Sequence, residues 1–193
     1  MNVILFGPPG AGKGTQADII VKKFNLYKIS TGDLLREEIK KKSLLGNKIK
    51  SIIDKGLFVN DSLINDLIEK ILSDKKFYNR LIFDGYPRNE NQAINLDLLL
   101  KKHQQKISYV LSLNVEKEEI KKRILGRQIC ENCGSTFNEY FNPANKSNHS
   151  CNTKFLKKRE DDNEKTIITR FETYIEKTLP VLNFYKKQNL LHQ

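Results

Sequence analysis

Short apolar runs alternate with longer amphipathic stretches along the first two thirds of the chain. Residues 3–6 form a compact apolar run closed by Gly7-Pro8-Pro9-Gly10, the pattern of a buried strand. Residues 11–24 follow with helical spacing, and 27–29 suit a second short strand. Asp33 is placed to N-cap a helix over 34–42. Two further helices are expected over 46–55 and 62–73, the second capped by Asp61. Residues 80–84 read as a strand ending in Gly85-Tyr86-Pro87, then helix 89–102, strand 109–114 and helix 116–125. Strands that alternate with helices predict an α/β fold, a parallel sheet with helices on both faces.

The pattern then changes. Residues 130–154 are rich in Asn, Ser, Gly and Cys and have no helical period, so a small β-type insertion is expected. An amphipathic helix resumes at Asn163, with a bend expected near Pro180. No repeat or linker interrupts the 193 residues, and 38% hydrophobic content with 10 Phe and 7 Tyr is enough for a folded core. No stretch approaches the roughly 18 uninterrupted apolar residues of a membrane span. Residues 1–6 read as a first strand and not as a signal peptide. Three cysteines are too few for a disulfide scaffold and fit a reducing cytoplasm.

The net charge of +11 raises the question of a polyanionic partner. Only seven of the 34 basic residues are arginines, and the lysines are scattered over helix faces, where they serve to solvate them. In such a chain an arginine is the more informative residue, because its planar fork binds oxyanions in a way that lysine cannot imitate.

Candidate chemistry begins between the first strand and the first helix, at Gly7-Pro8-Pro9-Gly10-Ala11-Gly12-Lys13-Gly14-Thr15. Backbone N–H groups at a helix start can wrap a polyphosphate if no side chain blocks the approach, and Lys13 can then reach the outer phosphates. The loop departs from the general G-x-x-x-x-G-K-[ST] form at Gly14, which shifts the holding of magnesium towards phosphates and water.

Residues 7–16 closely resemble the phosphate loop of adenylate kinases. The resemblance extends in order to Asp84-Gly85-Tyr86-Pro87-Arg88 with Gln92, to Arg123-Ile124-Leu125-Gly126-Arg127 ahead of Cys130-Glu131-Asn132-Cys133, and to Arg159-Glu160-Asp161-Asp162-Asn163. It implies a P-loop three-layer core with two insertions, in the long-lid, bacterial type of the family. The implied division is core 1–29, AMP-binding region 30–59, core 60–125, lid 126–162 and core 163–193. The implied reaction is magnesium-dependent, ATP + AMP = 2 ADP.

By the same resemblance Gly10, Ala11, Gly12, Lys13, Gly14 and Thr15, with Arg127, Thr136 and Phe137, border ATP. Thr31, Arg36, Leu57, Phe58, Val59, Gly85, Tyr86, Pro87, Arg88, Gln92, Arg159 and Arg170 border AMP. Gln92 has the donor and acceptor that reading an adenine edge requires. Asp84 either orients magnesium-bound water or caps a turn. Lys13, Arg88, Arg123, Arg159 and Arg170 carry catalysis, since phosphoryl transfer asks for in-line positioning and positive charge. Arg80 alone among the arginines is left as an ordinary surface residue. Asp161 and Asp162 either orient lid arginines or serve as helix-N-terminal acids. The family further implies a lid that closes to exclude water, and a monomer.

Two departures stand out. Cys130, Cys133 and Cys151 supply three thiolates for a structural zinc, but Lys154 stands where the family has a fourth ligand. His149 or Asp161 could complete the tetrahedron; otherwise the lid is a metal-free ribbon held by packing. The second departure is at residues 190–193, where the family continues into a last central strand and a helix that helps cradle the ATP base; here the last strand is expected to be missing, either because the sequence is truncated or because the sheet is smaller. Two alternatives to an adenylate kinase follow: a kinase for another acceptor such as CMP or UMP, and a basic zinc-ribbon nucleic-acid binder. The phosphate loop speaks against nucleic acid as the partner.

Overall fold

In a computed structural model the chain is described over residues 1–193, the side chain of Lys117 excepted. Its centre is a parallel sheet built from β1 (Asn2–Phe6), β2 (Tyr27–Ser30), β3 (Leu81–Asp84), β4 (Ile107–Ser112) and β8 (Leu191–His192), in the order β2-β3-β1-β4-β8. The fifth strand corrects the expectation of a missing one: Val110 pairs with Leu191 and Leu111 with His192. Two residues carry no period of their own, and it is the free edge of β4 that makes them a strand.

All five residues of β1 are buried, because both faces of the sheet are covered. Val3 and Leu5 point to one face, against Ala17 of helix α1 (Lys13–Phe24) and Leu26. Ile4 and Phe6 point to the other, towards α4 (Asp61–Leu72), α5 (Glu90–Lys102) and α8 (Val181–Lys186). Burying such a side chain is worth about 1.5–3 kcal/mol each, so the sheet is a rigid base for loops at its C-terminal edge.

Two caps differ from expectation. Helix α2 (Thr31–Lys40) is capped by Ser30, whose hydroxyl accepts from the Asp33 N–H at 3.3 Å, while the Asp33 carboxylate is engaged by Arg36. Helix α4 is capped by Asn60, so Asp61 is its first residue. Between them lies α3 (Leu44–Ile53), capped by Ser43. In both helices the residue just before the first turn takes the cap; a carboxylate inside that turn, Asp61 as its first residue and Asp33 as its third, does not.

Helix α6 (Lys117–Leu125) leads into a separate antiparallel sheet of β5 (Arg127–Cys130), β6 (Thr136–Asn138) and β7 (Leu156–Lys157), ordered β6-β5-β7. This is the expected β-type insertion. The returning chain forms α7 (Glu164–Thr173), opened by a capping box between Asn163 and Thr166. Ahead of Pro180, where a bend is expected, the helix passes into a π-helical segment, Tyr174–Thr178, and a new helix, α8, starts after the proline.

Candidate active site

The C-terminal edge of the sheet, α2, α3 and the insertion together enclose one cavity of about 870 Å³. That volume is near the top of the roughly 300–1,000 Å³ usual for small-molecule sites. Every position singled out above for ATP, AMP, Asp84 or catalysis lines it; of the cysteines only Cys130 does.

The phosphate loop runs from β1 to α1. Gly12 precedes the helix with φ +90°, in the left-handed region that glycine tolerates. Gly10 has φ +81°, and a Cβ there would meet Ile124 Cγ1 at 2.7 Å, so the loop lies flush against α6. The Lys13 ammonium bends back to the Gly7 and Pro8 carbonyls at 2.7 and 3.0 Å. Burial pushes its pKa down to about 8, against the pull of Asp84; Arg88 and Arg127 push it further down. Asp84 ends β3 opposite Leu5, and its Oδ2 lies 3.4 Å from where a Gly14 Cβ would be. Its two hard oxygens beside the phosphate loop suit the shell of a hydrated magnesium ion.

Six arginines converge on this space. Arg88 donates from Nε to the Gly85 carbonyl at 2.7 Å and lies over the Phe58 ring at 5.1 Å. Arg123 is held by Glu119 one turn earlier and reaches the Ala11 carbonyl at 3.3 Å. Arg127 forms a two-pronged pair with Asp162 at 2.8 and 2.5 Å. Arg170 pairs with Asp161 and lies 3.6 Å from Asp162. Arg36 pairs with Asp33, which also faces Arg159 at 4.0 Å. The Arg159 Nε is buried without a partner among the described residues. Burial, then Arg127 and Arg36, hold the Arg159 pKa down to about 9; burial, then Arg127, Arg88 and Arg36, bring Arg170 to about 10. Guanidinium stays charged in proteins, so these shifts express burial first and the crowding of like charges second. Arg80 stands apart, bonded to the Asn25 carbonyl at the far end of the sheet.

On the acceptor side the Thr31 hydroxyl donates to the Gly85 carbonyl at 2.8 Å, and the Thr178 hydroxyl to that of Arg88 at 2.7 Å. Gln92 is 2% exposed and fixed at both ends of its amide, by the Arg88 N–H and by Asp61. Sequence reasoning missed the functions of Asp33, Asp61, Glu119 and Thr178. Of these Glu119 and Asp33 carried a local signal, their four- and three-residue spacings from Arg123 and Arg36.

The insertion gathers Cys130, Cys133, Cys151 and His149, with all four ligand atoms within 4.8 Å of one another. The His149 Nε2 is buried and without a partner among the described residues, its ring edge-on to Phe137 at 4.8 Å. Three thiols and one imidazole are a tetrahedral zinc donor set, and bonds of about 2.3 Å would need only a modest contraction. The Ser135 hydroxyl and N–H hold the Cys133 thiol down to about 6, and Asn132 donates to Cys151 Sγ at 3.2 Å. The residues therefore fit the metal. Asp161, the other candidate ligand, is committed to Arg170.

A family model described as adenylate kinase matches residues 5–190. The adenylate kinase of Pelagibacter ubique is 52% identical over 189 residues, covering 98% of this chain and 89% of that protein. Those of Caldicellulosiruptor bescii and Methanocella arvoryzae are 42% and 44% identical over 193 residues, covering 99% of this chain and 89% of each.

Proposed function

Because this chain belongs to the adenylate kinase family, we propose that it catalyses reversible, magnesium-dependent phosphoryl transfer, ATP + AMP = 2 ADP, and so balances adenine nucleotides. The observation that carries the reading is the convergence of Lys13 and six arginines on one cavity of about 870 Å³ that Asp84 also lines.

The acceptor is already an anionic phosphate, so no strong base is needed; the protein has to align two anions and neutralise the charge that develops between them. Loop N–H groups and Lys13 take the outer phosphates of ATP, with Arg127, Thr136 and Phe137 on the same side. Thr31, Arg36 and the 57–59 turn hold AMP, and Gln92 reads its base. Arg88, Arg123, Arg159 and Arg170 surround the transferred group. Magnesium, held with ATP near Asp84, neutralises phosphate charge. The parts fall to core 1–29, 60–125 and 163–193, AMP region 30–59 and lid 126–162. In the lid Cys130, Cys133, Cys151 and His149 would hold zinc as a structural brace. The reading carries with it a cytoplasmic monomer that needs no nucleic acid, and the three free cysteines suit a reducing compartment.

Nucleotide chromatography after incubation with ATP, magnesium and each monophosphate tests it. Two ADP should appear per AMP consumed, with AMP far ahead of CMP, UMP and GMP, and Lys13→Ala should abolish turnover. Preference for another acceptor, or none from folded protein, overturns it.

A further inference from the structure

Gln92 has a side chain whose shape does not decide which way it reads. The amide oxygen has two acceptor positions and the NH2 group two donors, and a half-turn exchanges them with almost no change in outline. On a purine that exchange matters. Adenine offers a donor at its amino group and an acceptor at N1; a 6-oxopurine offers an acceptor carbonyl and a donor N1–H. One setting of the amide matches adenine, and the opposite setting matches hypoxanthine or guanine.

Here the setting is imposed from two sides. The Arg88 backbone N–H, which can only donate, meets Oε1 at 2.7 Å. The Asp61 carboxylate, which as an anion only accepts, receives Nε2 at 2.6 Å. Asp61 is itself pinned, because Asn89 Nδ2 donates to both of its oxygens at 3.1 and 3.0 Å. Asn89 also caps α5, its Oδ1 accepting from the Gln92 N–H at 2.8 Å. A half-turn of the amide would set NH2 against N–H and oxygen against carboxylate, inside a site where Gln92 is 2% exposed. In the observed setting one donor and one acceptor position remain for a base. Asp61 does not line the cavity, so it acts only through Gln92.

We infer that Asp61 is a positioning residue that locks the Gln92 amide in its adenine-reading sense, making the acceptor site refuse 6-oxopurine monophosphates. This rests on the reading above that Gln92 borders the acceptor base.

The test compares kcat/KM for AMP and IMP in wild type, Asp61→Asn and Asn89→Ser. Asparagine keeps the shape of Asp61 but can turn either an oxygen or an NH2 towards Gln92. The AMP-to-IMP ratio should fall at least tenfold in Asp61→Asn, through a higher KM for AMP and a lower one for IMP, with the KM for ATP within twofold. Asn89→Ser keeps a capping oxygen but frees Asp61, and should shift the ratio the same way by about threefold; it reads the lock even if Asp61→Asn does not fold. A ratio within twofold of wild type in a folded variant, with only the melting temperature lowered, overturns the inference and leaves Asp61 as a helix-start residue. Wild type that takes AMP and IMP alike overturns the inference alone. Wild type that phosphorylates no AMP overturns the reading of the site, and this inference with it.

Discussion

Asp162 has a side chain only 1% exposed, and it holds Arg127 through two bonds while lying 3.6 Å from Arg170. Replacing it with alanine removes the only carboxylate within ion-pair distance of Arg127 among the described residues, in a cavity already crowded with Arg36, Arg88, Arg159 and Arg170. Breaking one side of a buried pair costs about 3–5 kcal/mol, since the remaining charge is left uncompensated. The Arg127 side chain is 20% exposed, so water screens part of that charge and the lower end, about 3 kcal/mol, applies. At about 2–4 °C per kcal/mol for a chain of this length, Asp162→Ala should melt roughly 6–12 °C below wild type. Asp66→Ala, on the exposed face of α4, is the control and should melt close to wild type. Because Arg127 and Arg170 would shift by an ångström or more, turnover should drop about 10²-fold. Inorganic triphosphate, which supplies the missing negative charge, should raise the melting temperature of the variant more than that of wild type. The readouts are calorimetric unfolding and coupled-assay turnover. A variant that melts within 2 °C of the Asp66→Ala control and keeps its turnover would refute the claim that Asp162 positions these arginines.

Lys13, with its pKa lowered by burial from 10.5 to about 8, gives a signed pH effect. Between those values the unfolded chain binds a proton that the folded one does not, so stability should rise with pH over about 8–10.5; phosphates restore the charge, so ATP binding near pH 9 should take up a proton, seen as a buffer-dependent enthalpy and absent in Lys13→Ala. Metal analysis should find one zinc per chain, lost in Cys151→Ser and weakened in His149→Ala, and chelation should lower the melting temperature; protein with intact thiols and no zinc would refute the site. Gly46→Ala should destabilise the protein in urea although alanine favours helix by about 1 kcal/mol, because the new Cβ would lie 2.6 Å from the Glu38 carbonyl oxygen; a gain in stability would refute that close approach.

What the sequence disclosed and what it withheld differ in a physical way. The phosphate loop and Asp84–Arg88 were legible because their chemistry is local: the glycines, Lys13 and the strand ends act within a few residues of one another. The same holds for the sheet, whose apolar runs are long enough to carry a pattern, whereas β8 takes its identity from a neighbour 81 residues away. Asp33 and Asp61 were read as caps since an acid before a helix looks the same whether it serves the helix or an arginine. Only the fold shows Ser30 and Asn60 taking the caps, which frees Asp33 for Arg36 and Asp61 for Gln92. Asp161 and Asp162 were left between two readings for the same reason, and the structure decides for the arginines. The fourth candidate metal ligand follows suit, because His149 stands on the wrong side of Cys151 for the family spacing, yet the insertion brings its ring back to the thiols. In each case the residue type was informative and the partner was not, since an anion's partner is set by which backbone segments the core brings together.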